Sequence, residues 1–90
     1  MKVRVKAFAR FREILGSDLL VDLPDGATMA AVLAALRDRA GDNGDAIFDE
    51  TGALRAHVIL MRNGRRVKRD DPDPLADGDE IAIFPPVAGG

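Results

Sequence analysis

The stretch Glu80-Ile81-Ala82-Ile83-Phe84-Pro85-Pro86 decides how the rest of the chain is read. Ile81 and Ile83 alternate with Ala82 and Phe84, and a period of two gives a strand two different faces. Pro85 and Pro86 carry no backbone N–H and stop the strand. The same alternation stands at the other end of the sequence, where Val3, Val5 and Ala7 interleave with Arg4, Lys6 and Phe8. Both segments read as strands with one buried and one open face.

Between them, Ala9 to Leu15 reads as a short helix closed by Gly16, which takes a left-handed end conformation without steric cost. A second strand is expected at Leu19 to Leu23, ended by the turn Pro24-Asp25-Gly26. Thr28 then stands where a side-chain oxygen caps the free amides of a helix. In that helix Met29, Val32, Leu33 and Leu36 fall on one stripe, and Arg37, Asp38 and Arg39 end it. From Gly41 to Gly52 the composition turns to Gly, Asp and Asn around Ile47-Phe48, which predicts a surface loop pinned by one hydrophobic contact. His57-Val58-Ile59-Leu60-Met61 is a continuous apolar run. Asn63-Gly64 after it is a hairpin signal, with Arg65 to Lys68 returning as an edge strand. Asp71-Pro72-Asp73-Pro74 and Asp77-Gly78-Asp79 are turns.

This order predicts an α+β fold of the β-grasp (ubiquitin-like) type, a mixed four- to five-stranded sheet with one main helix packed on one face. The domain is expected over residues 1–84, with 85–90 as an extended tail. With Val3, Val5, Val21, Leu23, Leu60, Ile81 and Ile83 facing the helix, strand phase sends Phe8 and Phe84 to the open face. If the first and last strands are parallel neighbours, the two rings sit side by side where the tail leaves.

The chain has 90 residues, so one modest core is expected. The formal charge of -2, with both signs mixed along the sequence, gives no nucleic-acid footprint. Cysteine is absent, which removes thiolate metal sites and cysteine nucleophiles. His57 is the lone histidine, so no metal site is expected. The alternating charges of Met1 to Lys6 are unlike a secretory signal, and no apolar run approaches membrane-spanning length, so a cytoplasmic protein is expected.

After Phe84 six residues remain, able to span at most roughly 20 Å at about 3.3 Å each. Pro85-Pro86 stiffens the root, while Gly89 and Gly90 are slim enough to pass through a narrow channel. A C-terminal carboxylate is ionised at neutral pH and is a poor acyl donor until activated. The sequence holds no phosphate-binding glycine loop with its Lys, and no nucleophile paired with a base, so it reads as a protein acted upon rather than an enzyme. Gly-Gly alone is weak evidence; its value comes from following a strand and Pro-Pro.

The segment Leu75-Ala76-Asp77-Gly78-Asp79-Glu80-Ile81-Ala82-Ile83-Phe84-Pro85-Pro86-Val87-Ala88-Gly89-Gly90 resembles the C-terminal signature of the MoaD-like ubiquitin-fold sulfur carriers, and Phe8-Ala9-x-x-Arg12-Glu13 extends the likeness. The resemblance implies that an E1-like enzyme adenylates the Gly90 carboxylate, using ATP and Mg that it binds itself, with no cofactor held by this chain. Sulfur transfer then yields a thiocarboxylate that serves molybdenum cofactor biosynthesis. The implied partner there is the large subunit of molybdopterin synthase (MoaE-like). Archaeal members also act as small protein modifiers joined through the terminal glycine to target-protein lysines, and Ile47 to Leu54, His57-Val58 and Arg62-Asn63-Gly64 are similar to that branch. The thiamine branch fits less well, because its members lack the Phe-Pro-Pro root.

The resemblance also assigns sites. Gly90 is the reacting residue, with Gly89 beside it. Phe8, Phe84, Pro85, Pro86 and Val87 match positions that dock partners. Arg12 matches a basic position expected to meet a partner carboxylate, although an isolated charge also reads as solvated surface. Arg66 departs from the molybdopterin-synthase type, which tends to be apolar there. The basic run Arg62, Arg65, Arg66, Lys68 and Arg69 reads as a solvated edge strand or as a complement to an acidic partner.

Overall fold

A computed structural model describes residues 1–86. Its elements are β1 (Lys2–Ala7), α1 (Arg10–Leu15), β2 (Asp18–Asp22), α2 (Met29–Ala40), a 3₁₀ segment (Gly41–Ala46), β3 (Ile59–Arg62), β4 (Arg65–Val67) and β5 (Glu80–Phe84). They form a five-stranded sheet in the order β2-β1-β5-β3-β4. Strand β1 pairs antiparallel with β2 and parallel with β5, while β3 pairs antiparallel with both β4 and β5. This is the expected β-grasp sheet.

The alternation in β1 and β5 sorts their residues as expected. Val3, Val5, Ala7, Ile81 and Ile83 are buried, joined by Leu60 of β3. Against them α2 lays Met29, Val32, Leu33, Leu36 and Ala40, and α1 adds Phe11 and Leu15. Burying such side chains contributes about 1.5–3 kcal/mol each, so the stripe of α2 is the main force holding the helix to the sheet.

Asn63 (φ 50) and Gly64 (φ 82) both take positive φ between β3 and β4, as the hairpin signal requires. Strand β2 begins one residue earlier than expected, at Asp18. Thr28 does occupy the N-cap of α2, but its side chain makes no capping hydrogen bond. The first turn is closed instead by Ala31 N–H donating to the Thr28 carbonyl at 3.0 Å.

The larger correction concerns Gly41 to Gly52 and the residues just after it. Where a loop held by one contact was expected, Gly41–Ala46 winds into a 3₁₀ segment, and Ile47, Phe48 and Leu54 are all buried in the main core. Phe48 and Leu54 form an isolated antiparallel bridge. Asp49 closes the turn between them, its carboxylate accepting from Thr51 N–H at 2.9 Å and Ala53 N–H at 3.1 Å. Arg37 of α2 reaches over the Phe48 ring and donates to the Gly52 carbonyl at 2.9 Å, tying the segment to the helix.

Candidate functional site

The parallel register sets the site. Lys6 stands opposite Ala82 and Ala7 opposite Ile83, and Phe8 N–H donates to the Ile83 carbonyl at 3.3 Å. With alternate residues on opposite faces, Phe8 and Phe84 emerge side by side on the face away from α2. Their rings are nearly parallel, 9° apart, with centroids separated by 4.4 Å. That exceeds a van der Waals contact distance of about 3.5 Å, so the rings are slipped, the arrangement favoured by aromatic quadrupoles. Phe8 is 38% exposed. Phe84 is half-buried rather than fully open as expected, because Ile59 lies opposite it on β3.

The turn after Phe8 is strained. Ala9 adopts φ 53, ψ -133, a region that glycine enters freely and residues with a Cβ do not. The sharp bend lets the chain leave β1 and start α1 at once, with Phe11 N–H donating to the Phe8 carbonyl at 3.1 Å. Phe8 is thereby left on the open face while Phe11, three residues on, is buried.

Around the stack the open face is apolar at the end of β5 and charged farther back. Ile59, Met61 and Ala82, all partly buried, continue the apolar surface. Behind it, Lys6 Nζ lies 2.9 Å from Glu80 Oε1 and Arg4 Nε lies 3.4 Å from Asp18 Oδ1. Ion pairs this exposed add about 0–1 kcal/mol each, so they shape the surface more than they stabilise it. Ile59 and Met61 were not singled out as site residues. Their signal was the unbroken run from His57 to Met61, since a strand apolar on both faces has something to cover on each.

The opposite end of β5 is built differently. Asp79, the buried acidic residue among those described, accepts from Arg62 Nε at 3.0 Å, Asn63 Nδ2 at 2.9 Å and Ala76 N–H at 2.8 Å. Arg62 Nη2 lies 2.8 Å from the same carboxylate and donates to the Pro74 carbonyl at 3.0 Å. Burial pushes the Asp79 carboxyl up, but the hydrogen bonds from Ala76 and Asn63 and the Arg62 charge outweigh it and hold the group below the ordinary carboxylate value. Asp79 was expected only as turn chemistry; it fastens the start of β5 to the β3–β4 hairpin.

Of the expected site residues, the fold brings Phe8 and Phe84 together, and Pro85 and Pro86 follow half-buried. Arg12 is exposed on α1 and enters none of the ion pairs found among the described residues. Val87, Gly89 and Gly90 lie outside the described residues. His57 is exposed in a left-handed conformation (φ 69), and no group of His, Asp and Glu able to hold a metal occurs among the described residues. Among the same residues no helix is long and apolar enough to cross a membrane.

Comparison with known proteins gives a consistent picture. A model described as the ThiS family matches residues 5–90. Small archaeal modifier protein 3 of Haloferax volcanii is 38% identical, covering 100% of this chain and 100% of its own length. The molybdopterin synthase sulfur carrier subunit of Escherichia coli is 38% identical, covering 98% of this chain and 99% of its own. Among solved structures, SAMP1 from Haloferax volcanii superposes with a TM-score of 0.86 at 34% identity, over 100% of both chains.

Proposed function

The chain belongs to the ThiS family, and on that premise we propose that it is a sulfur carrier for molybdenum cofactor biosynthesis, working in the cytoplasm. In this reading an E1-like enzyme binds ATP and Mg and adenylates the Gly90 carboxylate. Sulfur then replaces the adenylate, leaving a thiocarboxylate that the large subunit of molybdopterin synthase receives. The chain itself is a carried substrate, in keeping with relatives that are small carrier subunits and modifiers. It needs no cofactor of its own.

The observation that carries the reading is the Phe8–Phe84 stack, which places an exposed aromatic surface at the root of the Gly-Gly tail. An enzyme that threads a slim tail must also grip the body from which it hangs, and aromatic surface supplies contact area at low entropic cost. Arg12 and Val87 are proposed to extend that grip. The chemistry follows from acyl activation: the adenylate is a mixed anhydride open to attack, and the thiocarboxylate is a nucleophilic sulfur at the tip of a thin arm.

The test is incubation with ATP, Mg, the E1-like enzyme and a sulfur donor, followed by intact mass measurement. Exchange of one oxygen for one sulfur at Gly90 is the expected result; no exchange and no adenylate would sink the proposal.

The match to small archaeal modifier protein 3, as high in identity as that to the bacterial carrier, favours a second role for the same activated end. In that role Gly90 forms isopeptide bonds to lysines of target proteins. Tagged protein isolated from its own cells separates the roles, since a modifier leaves Gly90 on lysines of other proteins and a pure carrier does not.

A further inference from the structure

Resting on the modifier reading above, we propose that Lys68 is the amine through which one copy of this chain is joined to another. The lysines of the sequence are Lys2, Lys6 and Lys68, and the fold treats them differently. Lys6 projects from the open face two positions before Phe8, with Nζ 2.9 Å from Glu80 Oε1. Lys2 lies on the same face with Nζ 3.8 Å from Asp22 Oδ1. Lys68 stands elsewhere, just past β4, whose single sheet neighbour is β3. It is exposed and enters none of the ion pairs found among the described residues.

Its surroundings suit an activated donor. Lys68 lines an open cleft with Arg55, His57, Arg69 and Asp70, two guanidinium groups against one carboxylate, and borders a second with Asp70 and Asp71. The two guanidinium groups are held in place by backbone carbonyls, Arg69 Nη1 donating to Leu54 at 2.6 Å and Arg55 Nε donating to Asp45. An acyl adenylate is an anion at its phosphate, so fixed positive charge beside the amine draws the reactive end of a second copy toward it. Linkage at Lys68 also leaves the acceptor's Phe8–Phe84 surface uncovered. An amide at Lys6 would sit beside that surface.

The step balances without a redox partner. Lys68 Nζ of the acceptor loses its ammonium proton to solvent, its lone pair attacks the Gly90 carbonyl carbon of the donor, and a second proton leaves the nitrogen for solvent as the amide forms. The C–N bond forms, the C–O bond to the adenylate breaks, and AMP leaves with the electron pair; ATP, used by the E1-like enzyme, is the source of the AMP.

The full chain is incubated with the E1-like enzyme, ATP and Mg, with free lysine added as a probe of transfer in general. Linked dimers are digested with trypsin, which cuts the donor after Arg69, so residues 70–90 remain as a branch on the acceptor lysine. The expected branch lies on Lys68, and Lys68→Arg lowers dimer yield about tenfold or more while capture by free lysine continues unchanged. Branches chiefly on Lys2 or Lys6, undiminished dimer in Lys68→Arg, a monomer lighter by one water, or lysine capture without dimer each overturn the assignment and leave the modifier reading standing. Failure of free-lysine capture overturns both.

Discussion

The two ends of β5 are held by opposite kinds of interaction. At its start, Asp79 gathers Arg62, Asn63 and Ala76 around a buried carboxylate, and Asn63 clasps Glu80, its N–H donating to the Glu80 carbonyl at 2.8 Å and its Oδ1 accepting from Glu80 N–H at 2.9 Å. At its finish, Phe84 rests on Phe8 through ring contact, with Phe8 N–H donating to the Ile83 carbonyl at 3.3 Å and Ile59 of β3 paired opposite Phe84. Directional, charge-assisted bonds fix register, and a buried network punishes any missing partner. Slipped rings give contact area while tolerating small displacements. The strand is therefore pinned by charge and directional bonds where it enters the sheet and held by ring contact where it ends, which suits the proposed division between stability at one end and recognition at the other.

Removing Gly89-Gly90 should separate the two roles most completely: thiocarboxylate formation is lost while the urea midpoint stays within error of the parent, because the core is assembled from residues between Val3 and Ile83. A fall in midpoint would show that the working end also supports the fold. Arg62→Ala attacks the pinned end. It leaves an ionised, buried carboxylate without its cation and should cost about 2–3 kcal/mol in urea unfolding, with adenylation per folded molecule unaltered.

Phe8→Ala should show the converse. Affinity for the activating enzyme, read by titration calorimetry, should weaken by about 1–2 kcal/mol, against a stability loss of about 1 kcal/mol from half-buried stacking. Equal losses in both measurements would erase the distinction between the ends. Ala9→Gly relieves the positive φ beside the stack and should raise stability by about 0.5–1 kcal/mol.

The smallest effect is one of pH. Asp79 is held below its unfolded value, so its contribution is present above the unfolded pKa, about 4, and is lost as pH falls through the folded value. The gap in urea midpoint between the parent and Asp79→Asn should therefore narrow only below about pH 4. A gap that closes near neutrality would point to another group.

Much of this contrast was legible in the residues. Strand alternation and the stripe Met29, Val32, Leu33, Leu36 give the sheet and its helix because burial follows local period. The stacking of Phe8 on Phe84 follows from phase once the parallel pairing is assumed. Asp79 was not legible as a hub, since nothing local separates it from Asp77; its burial depends on Arg62 and Asn63, which the hairpin turn delivers from far along the chain. Ile47, Phe48 and Leu54 show no period either, so their place in the core is visible only after α2 and its Arg37 are in position. Gly44 belongs to the same packing: it is buried, and a Cβ there would meet that of Ala40 at 3.3 Å.

The parallel pairing of β1 with β5 makes the aromatic surface a reporter of foldedness. Phe8 and Phe84 are distant in sequence and meet only when both strands have docked, so an unfolded or half-folded chain carries Gly89-Gly90 without the proposed grip. An activating enzyme that requires both would spend ATP on completed molecules and pass over damaged ones. Proofreading of this kind would need no extra domain, because the long-range contact that completes the sheet would also be the credential.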